Sequence, residues 1–360
     1  MKRIAVIMAG GKGERFWPAS RIEKPKQLLA IVSSQTMIKE TVDRISGIID
    51  NEGIFVVTSS LYKNAMIKEL CDIPAENIIC EPEGRDTANA IALASIYIEK
   101  KFPNSVVCVL SADHSIKPVD DFSRTITMGF EIAEKENVLI TIGIIPKRAE
   151  TGYGYIQKGE KIDGYSKPDV YYTDSFKEKP TIEVADVYYK SGKYLWNSGM
   201  FIWKNSYFLE QFSQFLPDNW EILKEIQSSI GLKIEQEKLY SLFIKLKKIS
   251  VDYGILEKSK NILCIAGEFE WDDVGSWSSM YRHVDTDFNG NVIKGNSALL
   301  ESSNCLIYAD DDTLIGVIDM DDLMIVKSNN AVLVCRKKDD QKVKELIELM
   351  KKDENLKKYL

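Results

Sequence analysis

The sequence predicts an α/β protein with a Rossmann-like, mixed but mostly parallel sheet flanked by helices, followed by a small C-terminal β unit and a terminal helix. Two observations support this fold class. Over the first 145 residues, short β-branched runs alternate with stretches of helical apolar spacing, which is typical of βαβ units. After residue 285, β-like runs recur at a spacing of roughly eight residues, which indicates a small all-β unit such as a short β-solenoid.

The predicted elements of the first part alternate strictly between strand and helix. They are strand 3–8, helix 36–48, strand 53–58, helix 88–100, strand 106–110, helix 122–134 and strand 138–142. Residues 150–285 mix strand-like runs with two longer helical segments, at 206–227 and 233–248. We interpret this part as continuous with the first, so that one domain covers residues 1–285.

The best linker in the chain is the polar segment 285–291, and residues 286–360 form the second predicted domain. Its β-like runs are followed by an amphipathic helix at the end of the sequence. One face of that helix carries Val343, Leu346, Ile347 and Met350. We expect Asp339 or Asp340 to cap its N-terminus.

Composition and charge exclude several classes of protein. A net charge of −7 argues against a general nucleic-acid binder, which carries a basic face. We find no apolar run near the ~18 residues of a membrane span and no secretory signal. The six cysteines form no CxxC pair, and the two histidines have no zinc-binding spacing. We therefore expect a cytoplasmic protein without nucleic-acid or membrane partners.

A glycine-rich loop directly follows the first predicted strand. The segment runs Ala9-Gly-Gly-Lys-Gly-Glu-Arg15, and its glycines allow several main-chain N–H groups to approach a phosphate. It is not a Walker A loop, and Phe16 stands where a dinucleotide fingerprint would need its last glycine. A plain tight turn is the alternative. Nearby cations, Arg15 and Lys26, favour phosphate binding.

These residues resemble a known signature. The pattern from Ala9 to Pro18, followed by Pro25-Lys26-Gln27, is similar to that of nucleotidylyltransferases that join NTPs to sugar 1-phosphates. The Phe16-Trp17-Pro18 context is most like that of the mannose-1-phosphate guanylyltransferases. The resemblance implies their fold, that of the nucleotide-diphospho-sugar transferases. It also implies nucleotide contacts from the loop, with phosphate contacts from Arg15 and Lys26. The loop residues concerned are Ala9, Gly10, Gly11 and Gly13. Glu14 departs from the hydroxyl residue common in the family.

A second motif, Glu81-Pro-Glu-Gly-Arg-Asp-Thr-Ala88, opens a predicted helix and is similar to a family segment that binds the nucleotide. A carboxylate such as Glu81 could accept hydrogen bonds from both N1–H and N2–H₂ of guanine. By resemblance Glu81, Arg85 and Thr87 bind the nucleotide. The alternative is a helix cap by Asp86 or Thr87, and the two interpretations are compatible.

Two aspartates follow apolar, strand-like runs. Asp113 comes after the run 106–110, and Asp273 follows the run 262–266 within Trp271-Asp-Asp-Val-Gly-Ser-Trp277. Each could also be a turn or capping residue. By resemblance they are paired catalytic ligands of Mg²⁺, an ion that one or two carboxylates commonly hold together with substrate phosphates.

Three middle segments match the family's hexose site, although each alone could be a surface charge cluster or a core strand with a turn. By resemblance Glu178 and Asn197 hold sugar hydroxyls, Gly154 allows close backbone approach, and Lys179 meets the sugar phosphate. The implied reaction joins GTP and mannose 1-phosphate into GDP-mannose and pyrophosphate.

Other functions remain open. The same chemistry with another NTP or hexose 1-phosphate is one alternative, and a non-catalytic regulatory homologue that binds a nucleotide sugar is another. An NAD-linked dehydrogenase is disfavoured by the missing third glycine. The apolar residues of the C-terminal unit suggest a homodimer, but they equally suit packing within the chain.

Overall fold

The computed structural model describes all 360 residues, and the chain divides into two compact units. The first unit comprises residues 1–10, 41–112 and 116–271, and the second comprises 11–40, 113–115 and 272–360. This grouping differs from the division expected after residue 285. The reason is that Phe16, Trp17 and Trp277 share one apolar cluster with residues of the C-terminal part.

Strands and helices alternate along the first part of the chain, and strands dominate after residue 290. The strands are β1 (Lys2–Met8), β2 (Ile54–Ser59), β3 (Ile78–Glu81), β4 (Ser105–Ser111), β5 (Ser115–Lys117), β6 (Leu139–Ile144), β7 (Tyr155–Lys161), β8 (Val170–Lys177), β9 (Tyr194–Lys204), β10 (Ile262–Gly267), β11 (Glu270–Asp272), β12 (Val292–Lys294), β13 (Ser297–Leu300), β14 (Leu306–Ala309), β15 (Ile315–Ile318), β16 (Leu323–Ser328) and β17 (Ala331–Arg336). The helices are α1 (Met37–Ile45), α2 (Lys63–Glu69), α3 (Thr87–Lys101), α4 (Val119–Lys135), α5 (Ile182–Ser191), α6 (Asn205–Phe215), α7 (Pro217–Ser229), α8 (Glu235–Phe243) and α9 (Val343–Met350). None of these helices combines the length and the apolar character needed to cross a bilayer.

The first unit is built on a nine-stranded sheet in the order β3-β2-β1-β4-β9-β6-β10-β8-β7. All of its strands except β8 and β9 run in the same direction, so the predicted mixed, mostly parallel sheet is confirmed. Alternate side chains of a strand point to opposite faces. On β9, Phe201 and Trp203 pack with α3 and α6, whereas Ile202 lies against Gly129 of α4. Helices therefore cover both faces of the sheet.

The predicted helix 206–227 is in fact two helices. α6 ends at Phe215 and α7 begins at Pro217, with Leu216 between them in a non-helical conformation. Proline has no N–H to donate and clashes with the preceding turn, so it stands at the first position of the second helix. The sequence prediction was wrong here because the apolar spacing continues across the break.

The second unit contains the solenoid-like part that the sequence predicted. Strands β12, β14 and β16 pair in parallel, β13 pairs in parallel with β15, and β17 closes the larger sheet in the antiparallel direction. Phe16 and Tyr308 both pack against Trp277, with ring centroids 5.1 Å and 4.8 Å away from that of Trp277. The glycine-rich loop and the β unit thus share one core.

The expected cap of the terminal helix is wrong. A 3₁₀ helix spans Lys337–Lys342 before α9, and the residue at the N-cap position of α9 is Lys342. Asp340 instead accepts hydrogen bonds from the Ser276 hydroxyl and the Ser278 N–H. On α9, Val343, Ile347 and Met350 are buried as expected, whereas Leu346 is 37% exposed.

Candidate functional site

The glycine-rich loop is held against the segment that carries Lys26. Gly13 has φ = +64°, and a Cβ added to it would lie 2.3 Å from Cβ of Lys26. The Ser20 hydroxyl donates a 2.7 Å hydrogen bond to the Gly13 carbonyl. Only glycine combines this backbone conformation with so close an approach. The loop therefore places the main chain of Gly13 directly beside Lys26.

Lys26 connects the two predicted metal-binding segments. Its Nζ donates to Asp113 Oδ2 at 2.8 Å and to the Asp273 main-chain carbonyl at 2.9 Å, and its side chain is only 7% exposed. Asp113, Asp273, Lys26 and Arg15 line one cavity of about 510 Å³. Three segments that are far apart in sequence thus face a common space.

The cavity combines cations with carboxylates, and Lys26 keeps the Asp113 carboxylate charged. Burial acts to raise the pKa of Asp113, but the charge of Lys26 and its hydrogen bond lower that pKa below its ordinary value. Arg15 donates to the Gly275 carbonyl at 3.4 Å, while its Nε is buried without a hydrogen-bond partner. A buried, unsatisfied donor of this kind is costly unless a ligand completes it.

A polar network that the sequence analysis missed supports the two aspartates. The hydroxyl of Ser115 lies 3.3 Å from Nδ1 of His283, and Nε2 of His283 lies 3.5 Å from Oδ1 of Asp272. Burial acts to raise the pKa of Asp272, but the contact with His283 and the hydrogen bonds from Arg282 lower it well below its usual range. Asp272 also accepts from the Val274 N–H at 2.8 Å. The network thus ties Ser115, two residues after Asp113, and Asp272, the residue before Asp273, to one histidine.

The predicted base acceptor is a buried carboxylate with an unused oxygen. Glu81 stands at the end of β3 and is 7% exposed, and its Oε1 has no hydrogen-bond partner. Burial raises the pKa of Glu81 to about 7, although a hydrogen bond from the Arg85 main chain acts in the other direction. A Cβ on Gly10 would lie 3.4 Å from Oε2 of Glu81, so the start of the glycine-rich loop is beside this carboxylate.

The neighbouring residues of this motif mostly have structural contacts. Asp86 caps α3 by accepting from the Thr87 N–H at 2.8 Å, so the capping interpretation is confirmed for Asp86. The Thr87 hydroxyl accepts from the Val251 N–H at 2.9 Å, and Arg85 donates to Glu83 at 2.7 Å. Among the loop residues, the Ala9 N–H donates to Val57 at 2.8 Å. A Cβ on Gly11 would lie 3.3 Å from the side chain of Gln27.

The predicted sugar residues come together in the first unit. A Cβ on Gly154 would lie 2.8 Å from Oε2 of Glu178 and 3.4 Å from Cβ of Asn197. The Asn197 N–H donates to the Gly154 carbonyl at 2.8 Å. Lys179 pairs with Glu178 at 3.0 Å and remains 63% exposed. Glycine at position 154 is therefore what leaves room for these two polar side chains.

Asp252 is a member of this cluster that the sequence analysis missed. It begins a short π-helical turn and accepts from the Asn197 side-chain amide at 2.8 Å. Burial and the charge of Glu178 raise the pKa of Asp252, against the effect of the Asn197 hydrogen bond. No local pattern around this residue indicates such a position, because its partner is 55 residues away in sequence.

Comparisons with known proteins show which family the chain belongs to. A family model described as nucleotidyl transferase matches residues 4–289, and one described as a MannoseP isomerase/GMP-like beta-helix domain matches residues 295–350. A mannose-1-phosphate guanylyltransferase of Escherichia coli is 34% identical over 350 residues, which cover 96% of this chain and 75% of the relative. A putative mannose-1-phosphate guanylyltransferase of Vibrio cholerae serotype O1 is 37% identical over 355 residues, covering 97% and 74%.

One solved structure is similar over nearly the whole molecule. It is a protein of Thermus thermophilus described as a mannose-1-phosphate geranyltransferase, with a TM-score of 0.86 and 30% sequence identity. The similarity covers 98% of this chain and 100% of that protein. The chain therefore belongs to the nucleotidyl transferase family, and its resemblance to the mannose-1-phosphate guanylyltransferases is confirmed.

Proposed function

We propose that the protein transfers the guanylyl group of GTP to mannose 1-phosphate. A phosphate oxygen of the sugar attacks the α-phosphorus of GTP. The bond from that phosphorus to the bridging oxygen of the β-phosphate breaks, and GDP-mannose and pyrophosphate are released. No covalent enzyme intermediate is needed, so positioning and charge neutralisation supply the catalysis.

The observation that carries this proposal is the cavity in which Lys26 joins Asp113 to the main chain of Asp273. Arg15 adds a guanidinium with an unsatisfied Nε to the same space. Fixed cations of this kind stabilise the negative charge that builds on a leaving pyrophosphate. The carboxylates beside them are the groups that a magnesium ion requires.

The residues of the cavity fit a magnesium ion. Asp113 and Asp273 supply two carboxylates, and the lowered pKa of Asp113 keeps its group ionised at neutral pH, as a ligand must be. When bound, the ion would neutralise phosphate charge and act as a Lewis acid on a phosphoryl oxygen. Lys26 meanwhile holds the Asp113 carboxylate in a fixed orientation.

Two further observations support the choice of substrates. The unpartnered Oε1 of Glu81 suits a base that donates, and guanine offers two neighbouring donors on one edge. Glu178 and Asn197 present charged and amide groups beside Gly154, which suits the hydroxyls of a hexose.

The test is a pyrophosphate-release assay with the full chain, magnesium, each of the four common NTPs and several hexose 1-phosphates. We expect turnover to be highest with GTP and mannose 1-phosphate. If turnover is highest with another NTP or another hexose 1-phosphate, the proposed reaction stands but the proposed substrates are wrong. Nucleotide-sugar binding without any turnover would identify the regulatory alternative and refute the proposed reaction.

We also propose a cytoplasmic location and a homodimer. All six cysteines are free, including the exposed Cys71, which suits a reducing compartment. Leu300, Ile318 and Val334 of the C-terminal β unit are each more than half exposed, which suits contact with a second copy. Light scattering of the purified chain would test the homodimer.

A further inference from the structure

The C-terminal helix α9 contributes a cation to the phosphate cavity. Lys344, in the first turn of α9, lines the cavity together with Lys12, Arg15 and Lys26. Those three residues lie in or near the glycine-rich loop, whereas Lys344 is more than 300 residues away in sequence. No motif in the sequence indicated this residue.

Packing fixes α9 beside the loop. Val343, Ile347 and Met350 are buried in the same apolar cluster as Phe16 and Trp17. An ion pair adds to this contact, because Lys351 lies 3.0 Å from Glu14. Both an apolar face and an ion pair hold α9 in place, so the fold fixes the position of Lys344 at the cavity.

Among the cations of the cavity, Lys344 has its charge uncommitted. Lys26 is bound to Asp113, and Arg15 donates to a main-chain carbonyl. A hydrogen bond from Lys351, and to a smaller extent the charge of Lys12, lowers the pKa of Glu348, so Lys12 has an anionic neighbour on α9. The side chain of Lys344 forms no ion pair or hydrogen bond within the chain.

We propose that Lys344 is a phosphate-binding residue that contacts the β- and γ-phosphates of the nucleotide and the pyrophosphate that leaves. This inference rests on the proposed function. An exposed ammonium group with no protein partner gives up no protein contact when it binds a phosphate. An ammonium group that is already ion-paired must first break that pair. Lys344 therefore adds to the two loop cations that stabilise the leaving group, and the C-terminal unit takes part in catalysis directly.

The experiment compares Lys344→Met with two variants. Lys344→Arg keeps the positive charge. Lys352→Met removes another exposed lysine near the C-terminal end, one that does not line the cavity. All proteins are assayed in the reverse direction with GDP-mannose and pyrophosphate, and in the forward direction with GTP. Thermal unfolding midpoints show whether a variant has merely lost stability.

We expect Lys344→Met to raise the KM for pyrophosphate about tenfold, the usual effect of losing a hydrogen bond to a charged group. The KM for GDP-mannose should stay within about twofold, Lys344→Arg should retain most of the wild-type affinity, and Lys352→Met should behave as wild type. A KM for pyrophosphate unchanged in Lys344→Met would overturn the inference.

If the wild type shows no turnover at all, the proposed function is what fails. Calorimetric titration of wild type and Lys344→Met with magnesium pyrophosphate would then decide the role of Lys344, equal affinities refuting it.

Discussion

Replacing Glu81 by glutamine tests the proposal that this residue binds the guanine base of GTP. The side chain keeps its size, but one of two acceptor oxygens becomes an NH₂ group that would face a guanine donor. Oε1 of Glu81 is buried and has no partner within the chain, so the lost hydrogen bond cannot be replaced by water at low cost. Hydrogen bonds to charged groups are worth roughly 1.5–3 kcal/mol, which corresponds to about a ten- to hundredfold weaker affinity for GTP.

The raised pKa of Glu81 adds a pH signature to this prediction. Burial raises that pKa to about 7, so the neutral carboxyl stabilises the fold at low pH, and this contribution is lost as the pH rises through about 7. Guanine binding favours the ionised form of Glu81 instead, because only the carboxylate accepts hydrogen bonds at both oxygens. The affinity for GTP should therefore rise between pH 6 and 8 in the wild type and change much less in Glu81→Gln.

Calorimetric titrations with GTP and ATP over this pH range provide the measurement. ATP corrects for the titration of the triphosphate itself, which both nucleotides share. Glu52→Gln, which alters an exposed glutamate, serves as the matched control. An unchanged ratio of GTP to ATP affinity in Glu81→Gln, together with an unchanged pH dependence, would remove Glu81 from the base pocket.

Three further predictions concern the metal, the sugar and the supporting network. Asp113→Asn and Asp273→Asn should each lower kcat about a hundredfold. EDTA should abolish wild-type activity until magnesium is restored. Near-normal turnover of both variants in limiting magnesium would contradict the assignment of these two residues as metal ligands. Glu178→Ala should raise the KM for mannose 1-phosphate about tenfold. Gly154→Ala should do the same because its Cβ would meet Glu178 at 2.8 Å, and a parallel collapse of GTP affinity would show that the residue is not specific to the sugar. His283→Ala should raise the magnesium concentration for half-maximal activity about tenfold, as loss of a supporting contact does, and an unchanged magnesium curve would limit His283 to a role in folding.

The sequence predicted those parts of the site that are local. A carboxylate directly after an apolar run, as at Asp113, lies at the edge of a parallel sheet for reasons of chain geometry. A glycine cluster after a strand likewise indicates a tight turn, and Gly13 has the positive φ that such a turn needs. In contrast, Asp252 and His283 act through partners distant in sequence, and their own neighbours in the chain carry no pattern of helix, strand or turn that would reveal those partners. The helix break at Leu216 was missed because the apolar spacing continues across it and carries no sign of the missing N–H of Pro217.

Glu14 departs from the family pattern, and the structure shows which residue balances its charge. Glu14 lines the cavity that we propose binds phosphate, and a carboxylate there in place of a hydroxyl residue would repel a triphosphate. In the structure, Lys351 neutralises it from 337 positions away, at 3.0 Å. The same lysine also pairs with Glu348, so the acidic loop residue and the terminal helix form one charge cluster. Removing Lys351 would therefore leave an unbalanced carboxylate in the cavity where we propose that phosphate binds. Because α9 packs against the loop and supplies the balancing charge, Glu14 is compatible with that proposal.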